Sequence, residues 1–382
     1  MLTEFFLTSF RGIKNQKIPL WFKTYIQWAN WSGKTHILDA IHLLSGSRLL
    51  YGNTEIEQNT LIEATFSQND LSKSYKLYSD EMRDSFSIQW SRMTKPKYML
   101  SLPWRTVYIS PFDMNLLYFA PQMRRDAMDL VLSRVYWQFI QIKKDYEKVM
   151  RERNFLLKKI RDGAAKKWDI SFWDHKLVEL AEIYLTYRYR YSEYIQNSLI
   201  HFPGFFKQYP IIFQYQSSMH DHVVSWANFH DEIIGYLLNN RDRDIITGHT
   251  HIGPHRDDWG FKILQNPIWS IADNYGLPSL ESQSSNEQLL IPIESYLSRG
   301  EMKMVLLWFK MIEANFIAEK LGSPVVLLID DIFAELDEKN SDIFLNSLTT
   351  HQIILTSQKP LPNHEKYHDF ICINLEHSYY DA

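Results

Sequence analysis

Ser32-Gly33-Lys34-Thr35 carries the clearest chemistry in this chain. It is the second half of the phosphate-loop pattern G-x-x-x-x-G-K-[ST]. In such a loop backbone N–H groups cradle phosphates, the lysine reaches the terminal oxygens and the hydroxyl holds Mg²⁺. Gly33 and Lys34 are therefore candidate phosphate ligands, Trp28, Ala29, Asn30, Trp31 and Ser32 complete the loop, and Thr35 is a candidate Mg²⁺ ligand. Ile37, Leu38, Ile41 and Leu44 follow at helical spacing, so the loop opens a helix whose N-terminus faces the anion. The departure lies in the first half. Trp28 stands where the pattern has its first glycine, and Trp31 sits inside the loop. A tryptophan forced to positive φ, or into the space where backbone meets phosphate, costs about 1–3 kcal/mol in strain. Glycine is 13 of 382 residues, well under the usual ~7%, while tryptophan reaches 12. Glycine at both positions would restore a complete loop. The expectation is that UGA codons meaning glycine in the source stand here as tryptophan; the alternative is a degenerated loop whose pocket the two indoles fill.

A second constellation lies far downstream. Val325-Val326-Leu327-Leu328-Ile329 is a continuous apolar run that ends in Asp330-Asp331. A buried strand of this kind delivers its first carboxylate beside the phosphate-loop helix, where Asp330 would hold Mg²⁺ through water. Asp331, one residue on, is placed to orient or polarise an attacking water. Just upstream, Leu297-Ser298-Arg299-Gly300-Glu301 resembles the Leu-Ser-Gly-Gly-Gln signature of ABC-type ATPases and likewise precedes a helix. In that class the serine hydroxyl and helix N-terminus of one subunit contact the γ-phosphate held by the other, which makes Ser298 a catalytic candidate and Gly300 a nucleotide ligand. Taken alone, Ser298 reads as a helix N-cap; Glu335-Leu336-Asp337 shortly after the acidic strand favours the signature reading.

These residues need a scaffold of buried strands and helices. Residues 61–66 and 86–90 alternate as half-buried strands, 123–156 and 177–200 carry helical periodicity, and 352–356 is a second buried-strand candidate. Loop signals mark 247–254 and the polar 279–288, and a helical pattern fills 300–321. The pattern predicts an α/β nucleotide-binding domain with a mostly parallel sheet, in two sequence halves (1–120 and 241–382) around an inserted helical lobe at 121–240. A net charge of −4 excludes a globally basic nucleic-acid coat. One cysteine, Cys372, excludes an intrachain disulfide and fits a reducing cytosol. No apolar run approaches about 18 residues, and the first residues read as a strand, not as a leader.

Nucleic-acid chemistry is concentrated at 151–167, which holds seven basic and two acidic residues. Arg151, Arg153, Lys158, Lys159 and Arg161 are candidate phosphate contacts; a solvated helix face is the competing reading. Arg105, Arg124 and Arg125 are further candidates, though arginine pairs also anchor ion pairs. The tyrosine and tryptophan residues of 136–192 recur at helical spacing and read as packing, not as stacking platforms for bases. His249, His251 and His255 read as loop or phosphate contacts, since no cysteine joins them and Gly-Pro interrupts the set.

Over most of its length the chain resembles the RecF recombination-repair ATPases, relatives of the SMC heads. Phe10-Arg11 is similar to the opening pair of that family, and Asn30 with 32–35 and 38–41 to its phosphate loop and helix. Ser110-Pro111-Phe112-Asp113, Pro121, Arg124-Arg125 and Asp129 resemble its middle motif; Tyr146, Arg153-Asn154 and Leu156-Leu157 its helical arm. The most specific match is 248–258, with its Gly-Pro-His-Arg-Asp-Asp string. Arg299, Glu301 and Ala334 depart from the family pattern, and 264–292 is longer and more polar. The resemblance implies an ABC-type, SMC-head-like P-loop ATPase domain with an inserted, mainly helical lobe. It implies ATP and Mg²⁺ as cofactors, an ATP-dependent homodimer, slow DNA-dependent turnover, and binding of single-stranded and gapped or junction DNA. It also implies recombinase loading with RecR- and RecO-type mediators, in the cytoplasm and away from membranes. Two other readings stand beside it: a DNA-binding scaffold with an obstructed nucleotide site, and another SMC- or ABC-like ATPase.

Overall fold

The computed structural model describes residues 1–27, 33–47, 56, 58–80, 84–119, 121–199, 210–219, 222, 226–264, 290–331, 336–357 and 367–374. They divide into two compact units: Met1–Asn115 with Ser298–Ala382, and Leu116–Leu297.

Unit 1 contains two sheets. The first is antiparallel, in the order β2-β1-β4-β5-β6-β7, from β1 (Leu2–Phe10), β2 (Ile13–Pro19), β4 (Thr60–Gln68), β5 (Leu71–Ser79), β6 (Asp84–Ile88) and β7 (Ser91–Met93). The second is fully parallel, in the order β14-β3-β13-β12-β8, from β3 (Lys23–Gln27), β8 (Arg105–Ile109), β12 (Val325–Asp330), β13 (Gln352–Ser357) and β14 (Ile371–Asn374). Every residue of β12 and β13 is buried, as a parallel sheet covered on both faces requires. Helix α1 (Lys34–Leu44) shares one apolar core with both sheets, through Ile37, Leu38, Ile41 and Leu44 against Phe5, Phe10, Val326 and Ile354. The β1–β2 turn places Arg11 (φ 46°) and Gly12 (φ 84°) in left-handed backbone, the pairing that matches strand twist in a two-residue hairpin. The strand expected at 86–90 stops at Ile88, because Gln89 turns with φ 53° into β7. Helix α2 (Lys95–Ser101) leads into β8; helices α9 (Arg299–Leu321) and α10 (Glu338–Ser347) precede β12 and β13; and the short α3 (Asn115–Tyr118) spans the boundary between the units.

Unit 2 is mainly helical. The helical pattern at 123–156 resolves into α4 (Pro121–Val135) and α5 (Trp137–Arg161), separated at Tyr136, whose φ of −117° and ψ of 104° are extended. Helix α6 (Ser171–Leu199) packs against α5, and α7 (Phe229–Asn239) and α8 (Arg241–Thr247) follow. The unit runs past residue 240, where composition alone ends it. Strand β10 (Asp258–Leu264) pairs with β9 (Ile211–Gln216) on one side and β11 (Leu290–Pro292) on the other, which keeps 241–297 with the lobe. Among the described residues no helix is long and apolar enough to cross a membrane.

Candidate nucleotide site

Strand β3 ends at Gln27, and Trp28, Ala29, Asn30, Trp31 and Ser32 lie outside the described residues. The chain re-enters at Gly33, the N-cap of α1, with φ 85° and ψ 15°. The positive φ favours glycine, and a Cβ here would crowd Ile13 Cδ1 and Cγ1 at 3.0 Å. Lys34 is buried, and burial lowers its ammonium pKa while Asp331 and Asp330 resist that shift.

The two distant motifs meet at Asp330. Thr35 Oγ1 donates to Asp330 Oδ2 at 2.7 Å, and Thr356 Oγ1 donates to Asp330 Oδ1 at 2.6 Å. The carboxyl is 8% exposed, and burial raises its pKa against the two hydroxyls and Lys34. An all-oxygen pair of hydroxyl and carboxylate with no arginine on it fits a hard divalent cation such as Mg²⁺. Asp331 adopts φ 43°, unusual without a glycine, and its N–H donates to Thr356 O at 3.0 Å. Thr356 escaped the sequence reading: its place opposite Asp330 follows from the β12–β13 register. Asp39, on α1, pairs with Arg11 Nη1 at 2.5 Å, yet burial outweighs that pair and lifts its carboxyl to about 6.

Ser298 caps α9, as its N-cap reading requires. Its N–H and Oγ each approach Glu301 Oε2 at 2.8 Å, and Glu301 N donates back to Ser298 Oγ at 3.3 Å, a reciprocal capping box. Gly300 lies in the first turn of α9. Deeper in that helix Lys310 joins Glu313 at 3.1 Å and Asp113 at 3.3 Å, which ties it to the Ser110–Asp113 turn. Glu335 and Ala334 lie outside the described residues.

In unit 2 the basic candidates separate. Arg151, Lys158, Lys159 and Arg161 are exposed on α5. Arg153 is 0% exposed: its guanidinium donates to Asp174 (2.8 Å), Asp244 (2.9 Å) and Thr250 (2.8 Å), so it is a core ion pair, not a phosphate contact. Arg124 grips Asp258 through two bonds of 2.6 and 2.7 Å, Arg125 donates to Asp257 O, and Arg105 is spent on the carbonyls of Met99, Leu102 and Trp104.

The Gly-Pro-His-Arg-Asp-Asp string is a structural hub. Gly253 has φ 131°, and a Cβ there would collide with the Tyr146 hydroxyl. Pro254 O accepts from Arg188 at 2.7 Å. His255 Nδ1 lies 2.7 Å from the Tyr146 hydroxyl and Nε2 lies 3.2 Å from Thr250 O, which puts the ring proton on Nε2. Asp257 accepts from Tyr215, Ser218 N and Ser218 Oγ. Asn154 Oδ1 accepts from Thr250 N–H at 2.9 Å and from its hydroxyl at 2.7 Å. His251 Nδ1 sits 2.7 Å from Asp244. The arm, the middle-motif arginines and the loop thus converge on one another.

Compared with models of protein families, the chain matches none. It is similar to curated proteins named DNA replication and repair protein RecF. The one from Caldanaerobacter subterraneus subsp. tengcongensis is 26% identical over 364 residues, covering 93% of each chain. That of Acholeplasma laidlawii is 25% identical over 372 residues, covering 95% of each. Among solved structures it is similar to the recombination mediator protein RecF with ATP, described in the RecFOR pathway. That likeness has a TM-score of 0.74 at 24% identity, covering 94% of this chain and 92% of the other. The fold is that of an ABC-type ATPase.

Proposed function

We propose that this chain, similar in sequence and fold to RecF proteins, is an ATP-dependent DNA-binding protein of recombinational repair. The observation that carries the reading is the 2.7 Å meeting of Thr35 with Asp330, which joins the phosphate-loop helix to the end of the buried acidic strand across 295 residues of chain. Gly33 and Lys34 bind phosphate, with 28–32 closing the loop. Thr35 and Asp330 hold Mg²⁺, which when bound neutralises phosphate charge. Asp331 positions water. Ser298 and Gly300 complete the site of a second copy, so ATP joins two chains and turnover is slow, gated by their separation. Arg151, Lys158, Lys159 and Arg161 contact DNA phosphates on single-stranded and gapped duplex DNA, and RecR- and RecO-type mediators act with it in recombinase loading, in the cytoplasm.

The loop needs glycine at 28 and 31 to do this, and the native chain carries it there in this reading. The mass of the tryptic peptide 24–34 from the native source decides: two tryptophans would shift the function to a DNA-binding scaffold insensitive to ATP. In the working protein Lys34→Ala abolishes ATP-dependent dimerisation, measured by sedimentation. Dimers that still form when ATP is added to that variant would overturn the proposal.

A further inference from the structure

Three large rings stand in water around the turn that joins α5 to α6. Phe155 is 56% exposed, Trp168 67% and Phe172 61%. Arg153 of α5 pairs with Asp174 of α6, so Phe155 and Phe172, two residues from each, lie at the same level of the two helices, and exposed apolar surface of this kind marks interaction sites. Two of the three rings carry a cation against them. On α5, Arg151, Phe155 and Lys159 follow at i, i+4 and i+8, one solvent-facing stripe, and Lys159 Nζ lies 4.5 Å from the Phe155 ring centre. Lys166 Nζ lies 4.9 Å from the Trp168 ring centre. Lys158 is exposed beside them. The acids of the tip are partly occupied: Asp162 sits 3.1 Å from Arg161, and Asp242 2.6 Å from Lys167.

The platform beneath is rigid. Leu157, Ile160 and Ile170 are buried in one small core with Ile245. Arg153 locks α5 to Asp174 of α6 and Asp244 of α8. Rings held on such a base keep their orientation without losing much entropy on binding.

We propose that this tip is a stacking platform for unpaired nucleic-acid bases, with Phe155 and Phe172 facing bases while Lys158, Lys159 and Lys166 neutralise the phosphates between them. The proposal rests on the DNA-binding reading and adds to it a reason for choosing single strands. A duplex offers phosphates but keeps its base faces stacked inside, so it gives exposed rings nothing to cover. Alternating rings and cations match a flexible polyanion with free π-faces. Trp168 adds a third ring; the two phenylalanines suffice.

The test uses the full chain with a labelled oligothymidine and a duplex of equal length. Phe155→Ala with Phe172→Ala should weaken single-strand binding at least about tenfold. It should change duplex binding less than about twofold and leave the salt slope unaltered. Lys158→Gln with Lys159→Gln should weaken both ligands and reduce the salt slope by about 0.7–0.9 per contact. Phe155→Trp should retain single-strand binding, whereas Phe155→Leu should not. Equal losses on both ligands, no loss from the ring variants, or full function with leucine would overturn stacking while leaving the phosphate contacts standing; full function with leucine would point to an apolar peptide partner. Failure of the unaltered chain to bind either ligand would sink the DNA reading itself, and this proposal with it.

Discussion

Asp330 in unit 1 keeps different company from the buried carboxylates of unit 2, and from Asp39, Asp113 and Glu313 in its own unit, which each face a cation. In unit 2 Asp129 accepts from Arg188, Tyr184 and Lys143, and Asp174 and Asp244 share the guanidinium of Arg153. Each of these buried negative charges has a positive charge against it. In unit 1 Asp330 has two neutral hydroxyls within hydrogen-bonding distance, with Lys34 as a weaker influence. Its neighbour Asp331 sits in left-handed backbone. Both regions were singled out by sequence motifs of similar sharpness. One is a cross-brace of ion pairs; the other, in the reading proposed above, is a ligand set for a phosphate and its cation.

The largest effect that separates them is on stability. Arg188→Ala leaves Asp129 and Asp257 buried without their guanidinium and should cost about 3–5 kcal/mol. Lys34→Ala removes a desolvated ammonium and should cost less than about 1 kcal/mol while ending nucleotide binding. Urea unfolding of both variants checks this. Comparable losses would erase the distinction between brace and ligand set.

Acid should push the two regions in opposite directions. Burial depresses His255 to about 4, so as pH falls below 6.5 the unfolded chain takes up a proton that the native ring does not hold until near 4, and unit 2 weakens. Burial raises Asp39 to about 6, so the native protein takes up a proton that the unfolded chain does not hold until near 3.8. Unit 1 therefore gains stability as pH falls through 6 and loses it again as pH rises. Between pH 7 and pH 5 each change should be about 1–2 kcal/mol. Hydrogen exchange, corrected for its intrinsic pH dependence, reads the two units separately. Asp39→Asn should reduce the gain in unit 1 alone, leaving the part that the raised carboxyl of Asp330 supplies; a common sign in both units would show that these groups do not set the trend.

Much of unit 1 was legible because its signals are local. The periodicity after Lys34 gave α1, and the apolar run before Asp330 gave β12. Thr356 was not legible: it is one hydroxyl at the end of an apolar strand, and only the register of β12 against β13 gives it a purpose. Arg153 was legible and was misread by counting charges instead of following helix phase. Arg153, Leu157 and Ile160 fall at i, i+4 and i+7 and are all buried, whereas Arg151, Phe155 and Lys159 mark the opposite face. The extent of unit 2 was hidden because β9 and β10 are joined across a long stretch of chain, and such pairing leaves no local trace. Trp168 reads as packing in the sequence yet stands exposed, for a related reason: aromatic spacing alone does not tell a buried face from a bare one.

The smallest predicted effect concerns Glu301, where unit 1 departs from its own logic. A carboxylate only accepts hydrogen bonds, so Glu301 draws both the N–H and the hydroxyl proton of Ser298 onto itself. To serve a phosphate on a second copy, that hydroxyl must change acceptor, and the Glu301 charge then faces another negative group. Glutamine in its place keeps an acceptor for the Ser298 N–H, gains a donor and loses the charge. Glu301→Gln should therefore tighten ATP-dependent dimerisation by roughly two- to fivefold, the scale of about 0.5–1 kcal/mol for an exposed charge at a helix N-terminus. It should leave thermal unfolding of the nucleotide-free chain almost unchanged. Ser298→Ala supplies the contrast, since it removes both the cap and the donor. If Ser298→Ala abolishes the dimer and Glu301→Gln does nothing, Glu301 is a cap alone; if the glutamine variant dimerises more tightly, the signature of this chain holds itself closed until ATP competes for its serine.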